Sequence, residues 1–187
     1  TTPGGATYAD GETASGVAGT AVDGFPADAV AVALDDLGLT PDLVVSGINK
    51  GQNVGPLAYE SGTVGAGRAA VRRGIPAIAG SAGLSDDPED YAAAADLVVG
   101  LIEDSRADYA SDTATADAVV SVNVPDCTAG TMKDAVDVPL AKEIPQGVNP
   151  FESDCTIEPA SPPADDVAAI AAGYATITLV APEAPTA

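Results

Sequence analysis

The segment from Pro41 to Gly74 constrains the fold of this chain more than any other. Leu43, Val44 and Val45 form a short apolar run of the kind that fills a buried parallel strand. The chain then turns polar and glycine-rich through Ser46, Gly47, Asn49, Gly51 and Gly55. Open α/β sheets bind ligands at strand ends of this kind. Ser61-Gly62-Thr63 next opens a run of small and helix-forming residues, Val64 to Arg73, that stops at Gly74. A helix starting there aims its first N–H groups and two hydroxyls back at the strand end, which makes an anion site.

The flanking pattern repeats the alternation. Val30, Ala33, Leu34 and Leu37 recur at helical spacing, with Asp28 in the first turn and Gly38 after the last, so an amphipathic helix is expected from Ala27. Ile75 to Ala79 reads as the next strand. Asp86 or Asp87 suits the cap of a second helix, Pro88 its first position, and Tyr91, Ala95, Val98 and Ile102 one face, with Ala94, Leu97 and Leu101 beside it. Residues 105–115 are polar and read as a loop, and 118–124 as a third apolar strand. This alternation predicts one α/β domain, a Rossmann-like, mostly parallel sheet with flanking helices. Beyond Asp126, residues 135–138 and Ile144 suggest short strands, 160–166 a loop, and 174–180 a β-rich run. Residues 1–20, rich in Thr, Gly and Ala, show little periodicity.

Composition narrows the function. The 187 residues carry 28 acidic and seven basic side chains, a net charge of −21. That disfavours a nucleic acid polymer, whose phosphates must be neutralised by Lys and Arg. No apolar run approaches the roughly 20 residues of a membrane span, so no membrane partner is expected. The acidity suits a solvated shell for solubility or high salt. Lys50, Arg68, Arg72 and Arg73 are four of the seven bases, and their clustering favours a local anionic ligand or, for Arg72 and Arg73, simple complementation of a helix C-terminus. With no histidine, neither a His nucleophile nor a His general acid is available within these residues. Cys127 and Cys155 cannot alone build a zinc site, which leaves a disulfide, with an oxidising compartment, or two buried thiols.

Individual residues admit two readings. Asn49 is either a turn asparagine or a hard oxygen donor for a cation. Ser61, Gly62 and Thr63 serve as helix cap and phosphate cradle together. Lys50 and Gly51 are possible additions to that site, and Asp28 is a cap or a site residue, the cap being preferred. Gly65-Ala66-Gly67-Arg68-Ala69-Ala70 fits a dinucleotide fingerprint, but it falls inside the helix instead of at its start, so close packing explains it better.

Ser46-Gly47-Ile48-Asn49, Gly51, Asn53, Gly55, Ser61 to Ala66 and Ile75-Pro76-Ala77 together resemble the central motif block of the SurE survival-protein family. Weaker echoes lie at Gly24 to Asp28, Asn123-Val124-Pro125 and Gly173 to Thr178. The resemblance implies a metal-dependent phosphatase (5'/3'-nucleotidase) for nucleoside monophosphates or other small phosphate esters. Its divalent cation, Mg²⁺ or Mn²⁺, would be held by two aspartates of an N-terminal strand, a serine and Asn49. That strand and serine are absent here, so the chain is expected to be a truncated enzyme with little turnover, or a scaffold or oligomerisation module without the metal. The resemblance further implies residues 1–125 as core, 126–187 as a β-rich arm and returning strand, and a homo-oligomer, dimer or tetramer. The tail and the two cysteines look most like secreted bacterial members; the cytoplasm of a salt-adapted organism is the alternative.

Overall fold

The computed structural model describes residues 1–85, 88–111 and 113–185. The expected cap at Asp86 or Asp87 lies outside the described residues. A five-stranded sheet has the order β3 (Val44–Lys50), β4 (Ala77–Ala82), β5 (Val119–Asn123), β7 (Tyr174–Val180) and β6 (Lys133–Asp137). β3, β4 and β5 run parallel; β7 pairs antiparallel with β5, and β6 parallel with β7. The segment after Asp126 therefore contributes two strands, β6 and β7, to the main sheet. The element that stands apart is a ribbon of β1 (Thr7–Glu12) and β2 (Ala18–Asp23), antiparallel to each other and almost wholly exposed. Their Thr, Gly and Ala side chains offer too little apolar surface to bury.

One face of the sheet is covered by α1 (Pro26–Ala31), which continues as a π-helical turn over Val32–Asp36, and by α3 (Gly62–Val71). Val64, Ala66, Ala69 and Ala70 of α3 pack there on Ala77, Ala79, Val119 and Val180. The opposite face takes α4 (Pro88–Asp104), whose Val98 meets Ile78 and Val122. β4 is buried along its whole length, which is why its sequence, Ala-Ile-Ala-Gly-Ser-Ala, consists mainly of small residues. Of the two glycines inside α3, Gly67 has the packing role expected of the pair, since a Cβ there would come 2.8 Å from Val119 Cγ1, whereas a Cβ on Gly65 would meet nothing within 4 Å. A fingerprint glycine would face a ligand instead.

Three expectations are corrected. Ile144 lies in no strand and packs instead against Val54, Ala141, Val167 and Ile170. The polar 105–115 segment contains a short helix, α5 (Arg106–Ala110), held by turns such as Ser111 N–H to Ala107 O (3.1 Å) and not by a buried face, so no apolar period announces it. A further helix, α6 (Asp166–Ala171), follows the proline-rich loop. Its six residues are too few for periodicity, and only the Asp165 cap and the glycine at 173 mark it. Among the described residues no helix is long and apolar enough to cross a membrane.

Candidate functional site

β3 is interrupted near its end. Its register against β4 shifts between Ser46 and Asn49, where Gly47 takes a φ of 127° and lies so near the Gly80 carbonyl that a side chain has no room. After this bulge Asn49, half-buried, donates its Nδ2–H to Gly51 O at 2.7 Å. That bond fixes the amide plane and leaves Oδ1 as the side chain's acceptor.

The following loop is held from beneath by the ends of the neighbouring strands. Asn53 donates its backbone N–H to Asn123 Oδ1 (2.7 Å) and its side-chain amide to Ser81 Oγ (2.7 Å). Gly55 donates to Asp166 Oδ2 at 2.8 Å. Asp166 is fully buried, and its other oxygen accepts from Ala141 N (2.8 Å) and Val167 N (3.0 Å). Burial pushes this carboxyl above the ordinary range, and the three N–H groups only partly offset it. Val54 packs with Ala141, Val167 and Ile170 into a small core under the loop.

The loop leads through α2 (Leu57–Glu60) to Ser61, the N-cap of α3, whose Oγ accepts from Val64 N at 3.2 Å. The Ser61 N–H is itself bonded to Leu57 O (3.0 Å), so the first-turn amides of Gly62 and Thr63 are the donors that a helix start offers to a ligand. α3 has no acidic residue in its first turn.

A cleft of about 320 Å³ is lined by Asn49, Lys50, Gly51, Gln52, Ser61 and Phe151, among others, with Glu60 also contributing. Asn49, Lys50, Gly51 and Ser61, singled out from sequence, thus share one cavity at the carboxyl ends of parallel strands. Gly62 and Thr63 follow Ser61 at the helix start without lining the cleft. A larger cleft of about 490 Å³, around Asp126, Asn149 and Asp154, shares Phe151 with this one.

The arginines do not join this site. Arg68 is buried, donating to Pro182 O (2.8 Å) and Tyr59 O (3.2 Å), and stacks 5.0 Å over the Tyr59 ring. Arg72 pairs with Glu183 and Arg73 with Asp35, each at 2.6 Å. Their clustering therefore ties down the C-terminal segment and the end of α1 instead of marking a ligand. Asp28 acts as the preferred cap: it accepts from the N–H of Phe25 (2.9 Å) and of Thr2 (2.9 Å) and from the Thr2 hydroxyl (2.7 Å). The Thr2 hydroxyl bond, foremost, holds its carboxyl below the ordinary range.

Cys127 and Cys155 form a disulfide with Cα atoms 5.7 Å apart, joining the segment after β5 to the approach to α6. Sequence reasoning placed Asn53 in the family motif without a role, and missed the supporting residues Ser81 and Asp166. Each is a small polar side chain whose buried partner lies far along the chain, so only the polar interruption of apolar runs hinted at them.

A divalent cation fits these residues poorly. Asn49 Oδ1 is a suitable hard donor. Among the described residues, however, no group of three or more His, Cys, Asp or Glu side chains is placed to complete its coordination.

A family profile described as "Survival protein SurE" matches residues 6–144. The chain is 45% identical over 107 residues to the 5'-nucleotidase SurE of Geotalea daltonii, covering 57% of this chain and 42% of that protein. It is 40% identical over 131 residues to the Geotalea uraniireducens 5'-nucleotidase SurE, covering 68% and 50%. The Halobacterium salinarum 5'-nucleotidase SurE is 41% identical over 115 residues, covering 57% and 43%. The chain thus spans about half the length of the relatives it matches. The crystal structure of the SurE protein from Aquifex aeolicus superposes with a TM-score of 0.67 over 95% of this chain and 74% of that one, at 23% identity, which speaks for the fold. With the family profile spanning most of its length, the chain belongs to the SurE survival-protein family.

Proposed function

We propose that this chain carries the phosphate-binding part of a metal-dependent phosphomonoesterase that hydrolyses nucleoside monophosphates or similar small phosphate esters. The observation that carries the reading is the shared cleft, in which Asn49 and Ser61 face one space at the positive end of α3. The names of the relatives, 5'-nucleotidase SurE, support the substrate class.

In this reading the Gly62 and Thr63 amides and the Ser61 and Thr63 hydroxyls hold the phosphoryl oxygens. Asn49, fixed by its bond to Gly51, presents Oδ1 beside them. The described residues do not complete a cation's coordination, so the remaining donors would have to come from outside them. β3 leaves room for such donors. Among the described residues it has β4 as its one neighbour, its Val45 is exposed, and an apolar groove of about 340 Å³ lined by Leu34, Leu39, Pro41 and Val44 runs beside it. An open edge of this kind accepts a further strand.

Titration calorimetry with ribose 5-phosphate and AMP tests the reading: saturable binding is expected, and its absence for both overturns it. These 187 residues alone should hydrolyse AMP with Mn²⁺ slowly or not at all. A longer protein containing them should hydrolyse it readily, and Asn49→Ala in that protein should lose the activity. A second reading, since among the described residues no group of three or more His, Cys, Asp or Glu side chains could hold a cation, is a non-catalytic scaffold or oligomerisation module. It predicts no hydrolysis by the longer protein with any divalent cation. A dimer or tetramer belongs to either proposal and is read by light scattering. The disulfide supports an extracytoplasmic location, while the charge of −21 suits a salt-adapted cytoplasm as the alternative.

A further inference from the structure

The cleft beside Asn49 and Ser61 has a second, unlike part. Leu84, which follows β4, is 47% exposed yet lies directly over the loop: its Cδ2 would be 3.1 Å from a Cβ on Gly51. Phe151 reaches the same cleft from the segment before Cys155, half-buried, with its backbone N–H held by Asn149 Oδ1 at 3.1 Å. Gln52 also lines this cleft; it is only 1% exposed, and both its Oε1 and its Nε2 are buried without a hydrogen-bond partner.

An uncommitted primary amide in an interior is rare, because leaving both a donor and an acceptor unmatched costs more than a typical hydrogen bond returns. Around it, residues 52–55 are otherwise fully engaged: Asn53 by Asn123 and Ser81, Gly55 by Asp166, Val54 by its apolar cluster. The loop is thus firmly built, yet Gln52 is left over. An amide offers one donor and one acceptor side by side, the pattern that the edge of a nucleobase complements. Apolar and aromatic side chains such as Leu84 and Phe151 suit the faces of a flat ring.

We propose that Gln52, Leu84 and Phe151 form a nucleobase subsite that makes the cleft selective for nucleotides over sugar phosphates. This rests on the reading of the Ser61 end of the cleft as the phosphate site. Leu84 and Phe151 cover the base, and Gln52 pairs with its edge as it enters beneath them. Stacking on an aromatic side chain is worth roughly fivefold to a hundredfold in affinity.

Titration calorimetry on the full chain with AMP, ribose 5-phosphate and adenosine tests this. AMP should bind about tenfold or more tightly than ribose 5-phosphate. That ratio should fall towards one in Phe151→Ala and in Leu84→Ala, with ribose 5-phosphate affinity unchanged. Gln52→Met should reduce the preference among AMP, CMP and UMP while retaining part of the stacking gain. Leu84 is half-exposed, so its variant remains informative if Phe151→Ala unfolds, and thermal melts identify that case. Equal affinity for AMP and ribose 5-phosphate overturns the base subsite and leaves the phosphate site standing. An AMP preference untouched by both Phe151→Ala and Leu84→Ala overturns the assignment of residues. Failure of both phosphate esters to bind overturns the phosphate reading itself.

Discussion

α3 and α6 are both short helices that begin at a loop on the ligand-binding side of the molecule, yet their N-termini are treated in opposite ways. α6 fills its own positive end. Asp165 Oδ1 caps Ala168 N at 2.9 Å, and the buried Asp166 gathers three more N–H groups from Gly55, Ala141 and Val167. α3 begins with the neutral Ser61-Gly62-Thr63, has no acid in its first turn, and opens on a cleft. In a chain with 28 acidic residues, leaving one helix start uncharged is informative. Glu60, the nearest acid, is the exposed last residue of α2; it lines the same cleft but precedes the cap of α3. The comparison teaches that a helix dipole completed by the chain's own carboxylates builds structure, whereas one left open is available to a foreign anion.

The largest effect is expected where the closed helix start is opened. Asp166→Ala leaves buried N–H groups at Gly55 and Ala141 without an acceptor, and about 3 kcal/mol or more of stability should be lost in urea unfolding. A loss under 1 kcal/mol would mean that Asp166 is no anchor. Its pH dependence has a definite sign. Because the folded carboxyl titrates above the ordinary range, its contribution is complete below that range and falls as pH rises through the raised value. The wild-type advantage over Asp166→Ala should therefore shrink with rising pH. Asp28, held below the ordinary range, runs the other way: its contribution is present above that range and is lost on acidification. The advantage over Asp28→Asn should vanish as pH is lowered.

Next comes the tether in front of α6. Cys127 and Cys155 are 28 residues apart, and closing a loop of that length restricts the unfolded chain by about 3–4 kcal/mol. The Cys127→Ser, Cys155→Ser double variant should melt earlier by a corresponding amount, as should the wild type in a reducing buffer. A melting curve indifferent to reductant would remove the tether from the account.

The smallest change in stability, and the sharpest test of the comparison, is to convert the open helix start into a closed one. Ser61→Asp should preserve the cap and leave stability within about 0.5 kcal/mol of wild type, while phosphate-ester binding drops at least tenfold through charge repulsion. Ser61→Ala should lose about 1 kcal/mol of stability with a milder loss of binding. If Ser61→Asp binds ribose 5-phosphate as wild type does, the two helix starts do not differ in the way argued.

Much of this was legible before any coordinates. The strands at residues 44–50, 77–82, 119–123 and 174–180, and α3 and α4, were announced by apolar runs, helical spacing and caps, because burial imposes a period that sequence records directly. Of the residues singled out in the motif from Ser46 to Ala66, Asn49, Lys50, Gly51 and Ser61 line the cleft and Gly62 and Thr63 do not, while Gln52, Leu84 and Phe151 were not indicated. The short helices α5 and α6 were not legible, since five and six residues complete too few turns to show a period.

By itself, then, the sequence determined the order of the long elements, from β3 through α3, β4 and α4 to β5, and the glycine-rich, polar character of the loop after β3, because both depend on local pattern and side-chain type. Only the tertiary structure decided that Asp166, so far along the chain, holds the Gly55 backbone, that Arg68 serves Tyr59 and Pro182 in place of a ligand, and that Gln52 is left without a partner. Those outcomes turn on which distant groups meet in a water-poor interior, where each donor needs an acceptor and no local period says which one it finds.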